Sequence, residues 1–290
     1  MDKTTYFYPN KTLRLGGIVL DLSTPQVMGI LNITPDSFFD GGRYPTVDDA
    51  LKQAEKMVSE GAAMIDIGGM SSRPGAEIID VEAELKRVVP VIDAIRKHFP
   101  ATPISIDTVH GSVAEAAINH GADMINDISA AAIDDSIIDI AVRHQVPYVV
   151  MHMQGLPGTM QEAPQYDDVV KEVFGFLLEK CKTISQKGIH QLIIDPGFGF
   201  GKTLEQNYSL AKQLEIFHQI GFPIMAGISR KSMICKLLKV NPEKALNGTT
   251  ALHALLLMKG ANILRVHDVK EAKEVIAIAE QFRLEIKEER

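Results

Sequence analysis

Asn32, Asp66, Asp107, Asn126, His152, Asp195, Lys231 and Arg265 each close, or fall just beyond, a short apolar run in a chain of 290 residues. Asp107, Asn126 and Asp195 present carboxylates and an amide, a set suited to the hydrogen-bonding edge of a flat heterocycle such as an aminopyrimidine. Arg73, Lys231, Arg265 and His267 are cationic or become so on protonation, and suit a diphosphate. Asn32 adds a neutral oxygen, an acceptable Mg2+ ligand where phosphate and water fill the other positions. Any one of these residues alone reads as a helix cap or a satisfied core group. Their recurrence at the end of one apolar run after another points to a shared pocket, with a polar floor for a ring and a positive rim for an anion.

Such residues meet only if the runs that carry them lie side by side and point the same way. Eight strands are expected: Val27–Ile33, Met64–Gly68, Ile104–Thr108, Met124–Ile128, Tyr148–Met151, Leu192–Asp195, Ile224–Ile228 and Ile263–Val266. Several are apolar on both alternating faces, as strands covered on both sides must be. Amphipathic stretches separate them. Val81, Leu85, Val88, Ile92 and Ile95 form one helical stripe, which Pro90 should distort, and Asp268 with Glu271 makes a capping-box pattern ahead of another. Gly61, Gly121, Gly188, Gly221 and Gly260 each fall where a helix should stop before the next strand, a degenerate internal repeat. Eight strands with that repeat favour a (β/α)8 TIM barrel, whose strand C-termini share one face. Gly16-Gly17 between apolar arms adds a short β-hairpin ahead of it. One domain over residues 1–290 is expected, with the hairpin at about 12–22 and the barrel at about 26–284.

The net charge of −7 and the absence of any run of five basic residues argue against a nucleic-acid surface. Two cysteines, Cys181 and Cys235, exclude a disulfide framework and fit a reducing compartment. The first residues lack the apolar core of a signal peptide, and no stretch approaches the ~18 apolar residues of a membrane span. A cytoplasmic protein without membrane contact is expected.

At the polar strand ends the motifs become specific. MGILNITPDSFFDGG (Met28–Gly42) and IDIGGMSSRPGA (Ile65–Ala76) resemble the two signatures of dihydropteroate synthases. SIDT, NDIS, VVMHMQG, IIDPGFGFGKT, GISRKSM and RVHDV follow in that family's order, and the similarity runs from about Lys11 to about Ala279. The resemblance implies condensation of a dihydropterin diphosphate with 4-aminobenzoate on the route to folate. It implies that Asn32 binds Mg2+ with the diphosphate, and that Asp107, Asn126, Asp195 and Lys231 hold the pterin. Arg265 and His267 would grip the diphosphate. Ser72, Arg73 and Pro74, with Phe200 and Ser232, would form the aminobenzoate side. A homodimer through the last helices is implied as well. Met70 replaces a glutamate common in the family, Phe39 a serine and Leu156 a threonine. The loops Asn32–Gly42 and Met70–Ala76, rich in glycine, proline and serine, have the length of lids.

Other signals point elsewhere and are weaker. PGFGFGKT (Pro196–Thr203) resembles a phosphate-binding loop, but Pro196 stands where that pattern needs glycine. Its glycines are read instead as letting backbone approach a ligand. His152 has no second histidine at helical spacing, which argues against zinc. A pterin-binding methyltransferase sharing the barrel, or a non-catalytic pterin-binding homologue, remain as alternatives. The first has no use for Asn32, Ser72-Arg73 and the Arg265/His267 pair, and the second none for the full polar set.

Overall fold

In β-strands of one sheet, successive side chains point to opposite faces, and here that alternation sorts oil from charge. The structure is a computed structural model that describes residues 11–34, 46–71, 75–155, 158–160 and 164–283. An antiparallel hairpin, β1 (Thr12–Leu15) and β2 (Ile18–Asp21), precedes eight further strands: β3 (Gln26–Asn32), β4 (Met64–Gly68), β5 (Ile104–Asp107), β6 (Met124–Asp127), β7 (Tyr148–Met151), β8 (Leu192–Asp195), β9 (Met225–Ala226) and β10 (Ile263–Val266). They pair in parallel in the order β8-β7-β6-β5-β4-β3-β10-β9, and a parallel bridge between Ile194 and Ile224 joins the two ends. The expected barrel and hairpin are both present. β9 is shorter than its expected span, because Gly227 and Ile228 leave the ladder and the closure rests on Ile224.

The helices are α1 (Val47–Ser59), α2 (Val81–His98), α3 (Gly111–Asn119), α4 (Ser136–His144), α5 (Val169–Gln186), α6 (Leu204–Lys212), α7 (Ser232–Leu238), α8 (Leu246–Met258) and α9 (Val269–Arg283). α2 runs unbroken through Pro90, and the five glycine stops all adopt positive φ. Outward strand residues such as Ile65, Ile67, Ile104, Ile106, Leu264 and Val266 pack with the inner faces of the helices into the main core. Inward residues build the lumen in layers. Met28, Met64, Met124, Val149, Ile193, Met225 and Ile263 form an apolar layer at the N-terminal end, sealed from below by Leu13, Leu15 and Leu22 of the hairpin region. Two residues further along the strands, the inward positions are Asp66, Asn126, Met151, Asp195, Gly227 and Arg265, with Asp107 beside them on β5. The apolar layer makes a floor, and the polar one opens at the C-terminal mouth. No helix among the described residues is long and apolar enough to cross a membrane.

Candidate active site at the barrel mouth

Arg265 on β10 is the hub of the polar layer. Its Nε donates to Asp66 Oδ2 and its NH2 to Asp107 Oδ2, both at 2.6 Å. Asp66 Oδ2 also accepts from Asn126 Nδ2 at 3.0 Å, while Asp66 Oδ1 is buried without a hydrogen-bond partner. One arginine therefore ties together carboxylates from two neighbouring strands. Burial raises the Asp107 carboxyl to about 7; Arg265 pulls it down, and Asp66 pushes it up.

On the opposite wall, Asp195 at the end of β8 accepts from the Gly197 N–H through Oδ1 at 2.7 Å. Its Oδ2 and Lys231 Nζ each lie 3.7 Å from the point a Cβ on Gly227 would occupy, so the missing side chain leaves both facing one open space. Burial raises the Asp195 carboxyl above its ordinary value against the pull of Lys231. Burial also draws the Lys231 ammonium down to about 8, with Asp195 opposing. Lys231 Nζ donates to Phe198 O at 2.6 Å and stands 4.5 Å from the centre of the Phe200 ring. In the lumen three carboxylates, Asp66, Asp107 and Asp195, face two cations, Arg265 and Lys231. An electron-poor or cationic ring placed among them would be stabilised.

Asn32 ends β3 beside this cluster. Its Oδ1 is 3.4 Å, and Asp107 Oδ2 3.6 Å, from where a Cβ on Gly68 would stand. The described residues hold no group of three His, Cys, Asp or Glu able to chelate a metal. A cation held by the Asn32 carbonyl would thus take most of its ligands from phosphate and water, a hard-oxygen set that suits Mg2+. At the rim His267 is exposed, its Nδ1 3.0 Å from Ser229 Oγ. Ser232 opens α7 and is exposed, whereas Phe200 is buried. Arg265 sits deeper than the positive rim expected of it, with its side chain only 14% exposed.

The structure thus gathers Asn32, Asp107, Asn126, Asp195, Phe200, Lys231 and Arg265 at one mouth, with Ser232 and His267 at its edge. Ser72, Arg73 and Pro74, most of the first loop including Phe39, and Leu156 lie outside the described residues. Two participants were underrated by sequence. Asp66 looked like one more strand-end acid, yet it shares Arg265. Lys202 belongs to the segment resembling a phosphate-binding loop, yet it is buried with its ammonium on backbone carbonyls. The glycines of that motif approach protein backbone: a Cβ on Gly197 would lie 1.8 Å from His152 O.

The family described as pterin binding enzyme matches residues 28–267. The dihydropteroate synthase of Escherichia coli K12 is 48% identical over 266 residues, 91% of this chain and 94% of the relative. The chain belongs to the dihydropteroate synthase family. Among solved structures, the Yersinia pestis dihydropteroate synthase in a sulfonamide drug complex superposes with a TM-score of 0.90 at 43% identity, covering 94% of this chain and 99% of that one. The Xanthomonas albilineans dihydropteroate synthase with 4-aminobenzoic acid gives 0.89 at 41%, covering 95% and 99%. For a dihydropteroate synthase, the layered lumen places an apolar seal under a charged cup, and the cup is where the family's motifs converge.

Proposed function

We propose that the chain condenses (7,8-dihydropterin-6-yl)methyl diphosphate with 4-aminobenzoate, forming 7,8-dihydropteroate and diphosphate in folate biosynthesis. The observation that carries this reading is the convergence of Asp107, Asn126, Asp195, Lys231 and Arg265 in one cup of a dihydropteroate synthase fold. Asp107, Asn126, Asp195 and Lys231 hold the pterin. The excess of carboxylates in the lumen favours positive charge on the ring as the methylene carbon loses its leaving group. The bond from that carbon to diphosphate breaks with its electron pair on the diphosphate, the aniline nitrogen forms the new bond, and its proton is released. No side-chain nucleophile takes part.

Arg265 and His267 offset charge on the departing diphosphate. Asn32 would hold Mg2+ there, and the ion would supply further charge neutralisation on the diphosphate. Phe200 and Ser232 serve the aminobenzoate side in the same reading, a role the family resemblance also implies for Ser72, Arg73 and Pro74. A homodimer and a cytoplasmic location belong to it too. α8 and α9 pack together and leave Leu255, Met258, Ile278 and Phe282 exposed, the kind of apolar surface a second copy covers. Light scattering should give twice the chain mass, reduced to the single mass by Ile278→Glu; a monomer at micromolar concentration ends the dimer reading.

The reaction is tested by diphosphate release from purified protein with the pterin diphosphate and Mg2+, with and without 4-aminobenzoate. Release that requires aminobenzoate and yields dihydropteroate is expected. Pterin binding without turnover would favour a non-catalytic homologue.

A further inference from the structure

The Gly197–Lys202 segment lies against the end of β7, backbone on backbone. Gly197, Gly199 and Gly201 all have positive φ, and a Cβ on Gly201 would stand 2.4 Å from Gln154 O. Two strand-end segments meet there with their carbonyls turned inward, an arrangement that costs free energy unless something donates to them. Lys202 does. Its Nζ reaches Gly197 O at 2.8 Å, Phe200 O at 2.9 Å, His152 Nδ1 at 3.0 Å and His152 O at 3.3 Å. Asn207 of α6 secures the other side, accepting from Gly199 N and donating to Lys202 O.

The hydrogen bonds of this lysine go to loop and strand-end groups, yet the segment it fastens supplies the cup with three parts. Phe198 O receives Lys231 Nζ, the Phe200 ring stands under that ammonium, and Gly197 N–H binds Asp195. We propose that Lys202 is a positioning residue for the pterin ring: it clamps the Gly197–Gly201 loop to the end of β7, and the loop in turn fixes Lys231 and Asp195. The proposal rests on the reading of the cup as the pterin site and adds to it a residue that never touches the ring.

The clamp predicts which end of the substrate suffers when it is removed. Lys202→Met keeps the stem and deletes the donor; Lys202→Gln keeps part of the donation. Binding of 6-hydroxymethylpterin and of inorganic diphosphate with Mg2+, each measured by calorimetry, separates the two ends without requiring turnover. Lys202→Met is expected to weaken the pterin at least about tenfold and diphosphate by less than about threefold, with Lys202→Gln between the parent and Lys202→Met for the pterin.

A pH profile adds a readout that loss of stability alone would not move. Lys231 faces Asp195, Arg265, Asp107 and, behind the loop, Lys202. Burial lowers the Lys202 ammonium to about 7, so as the pH rises through 7 the clamp loses a proton and the parent's pterin affinity should fall, whereas Lys202→Met, with no ammonium to lose, should show a smaller fall. Pterin affinity within about twofold of the parent in a folded variant overturns the proposal. So does equal weakening of both ligands with the parent's fall through pH 7 kept in full, or failure of both variants to fold, which would make the lysine a matter of stability alone. If the unsubstituted protein binds no pterin, the synthase reading itself fails, an outcome distinct from any of these.

Discussion

Arg265 is at once a site cation and the counter-ion that lets Asp66 and Asp107 be buried side by side. Removing one partner of a buried ion pair leaves charge unpaired in low dielectric, commonly at a cost of about 3–5 kcal/mol. Arg265→Ala should therefore lose stability as well as turnover, and a melting temperature equal to the parent's would contradict the counter-ion role. Asp195 stands differently. Asp195→Asn retains an oxygen for the Gly197 N–H but not the charge that favours a cationic ring. Turnover by diphosphate release is expected to fall about 10²–10³-fold with melting little changed; near-normal turnover would remove Asp195 from the pterin. The residue types and their strand-end positions were readable in sequence. The depth of Arg265 was not, because its partners lie 199 and 158 positions away and only the closed barrel puts them in one layer.

Helix α2 shows what periodicity reveals and what it hides. The stripe of Val81, Leu85, Val88, Ile92 and Ile95 was legible, and Val88, Ile92 and Ile95 are fully buried. Glu84 lies on the same helix with no exposure at all, turned toward the root of the second loop. It accepts from Thr108 Oγ1, while Arg87 donates to Gly69 O, and a Cβ on Gly69 would meet Glu84 Cγ at 2.9 Å. A buried acid inside an amphipathic pattern looks like any surface glutamate in sequence, since its neighbour Thr108 lies just beyond the end of β5. Gln145, which ends α4 at φ 53, is hidden for a related reason: glycine, and at times asparagine or aspartate, mark that conformation in sequence, but glutamine does not. Burial raises the Glu84 carboxyl from 4.5 to about 7, with the Thr108 hydrogen bond opposing. A carboxyl raised by folding favours the native state most below its unfolded value, near 4.5, and that contribution is lost as the pH rises through 7. Glu84→Gln cannot ionise and escapes the loss. Its stability relative to the parent, from urea unfolding, should improve by on the order of 2–3 kcal/mol between pH 5 and pH 9. A difference that stays flat with pH would show that Glu84 is not buried as the structure has it.

At the scale of the whole molecule, the barrel divides labour between its two ends. Strand number, order of motifs and the glycine repeat made the closed barrel legible, and the Gly16-Gly17 turn made the hairpin legible. What the hairpin does was not legible, because its buried residues, Leu13 and Leu15, alternate with exposed ones like those of any two-stranded ribbon. In the structure those two leucines, with Leu22, close the lumen beneath seven apolar strand residues, from Met28 to Ile263. Arg14 N donates to Gln191 Oε1 just ahead of β8, which fastens the ribbon across the opening. A barrel lumen is a packed core, and conservation of its order at the N-terminal end is a matter of stability while chemistry occupies the other end. Truncating a fully buried leucine there opens a cavity in a layer held by strands on all sides, where little collapse can fill it. Leu15→Ala should cost roughly 2–5 kcal/mol in urea unfolding. Its kcat and KM at 25 °C should stay at the parent's values, because the polar cup is separated from the hairpin by the intervening apolar layer. A variant that kept its urea midpoint but lost activity would mean that the ribbon communicates with the mouth rather than plugging the base. Loss of stability with activity intact would instead establish the two-ended division that the alternation of side chains along each strand builds into the lumen.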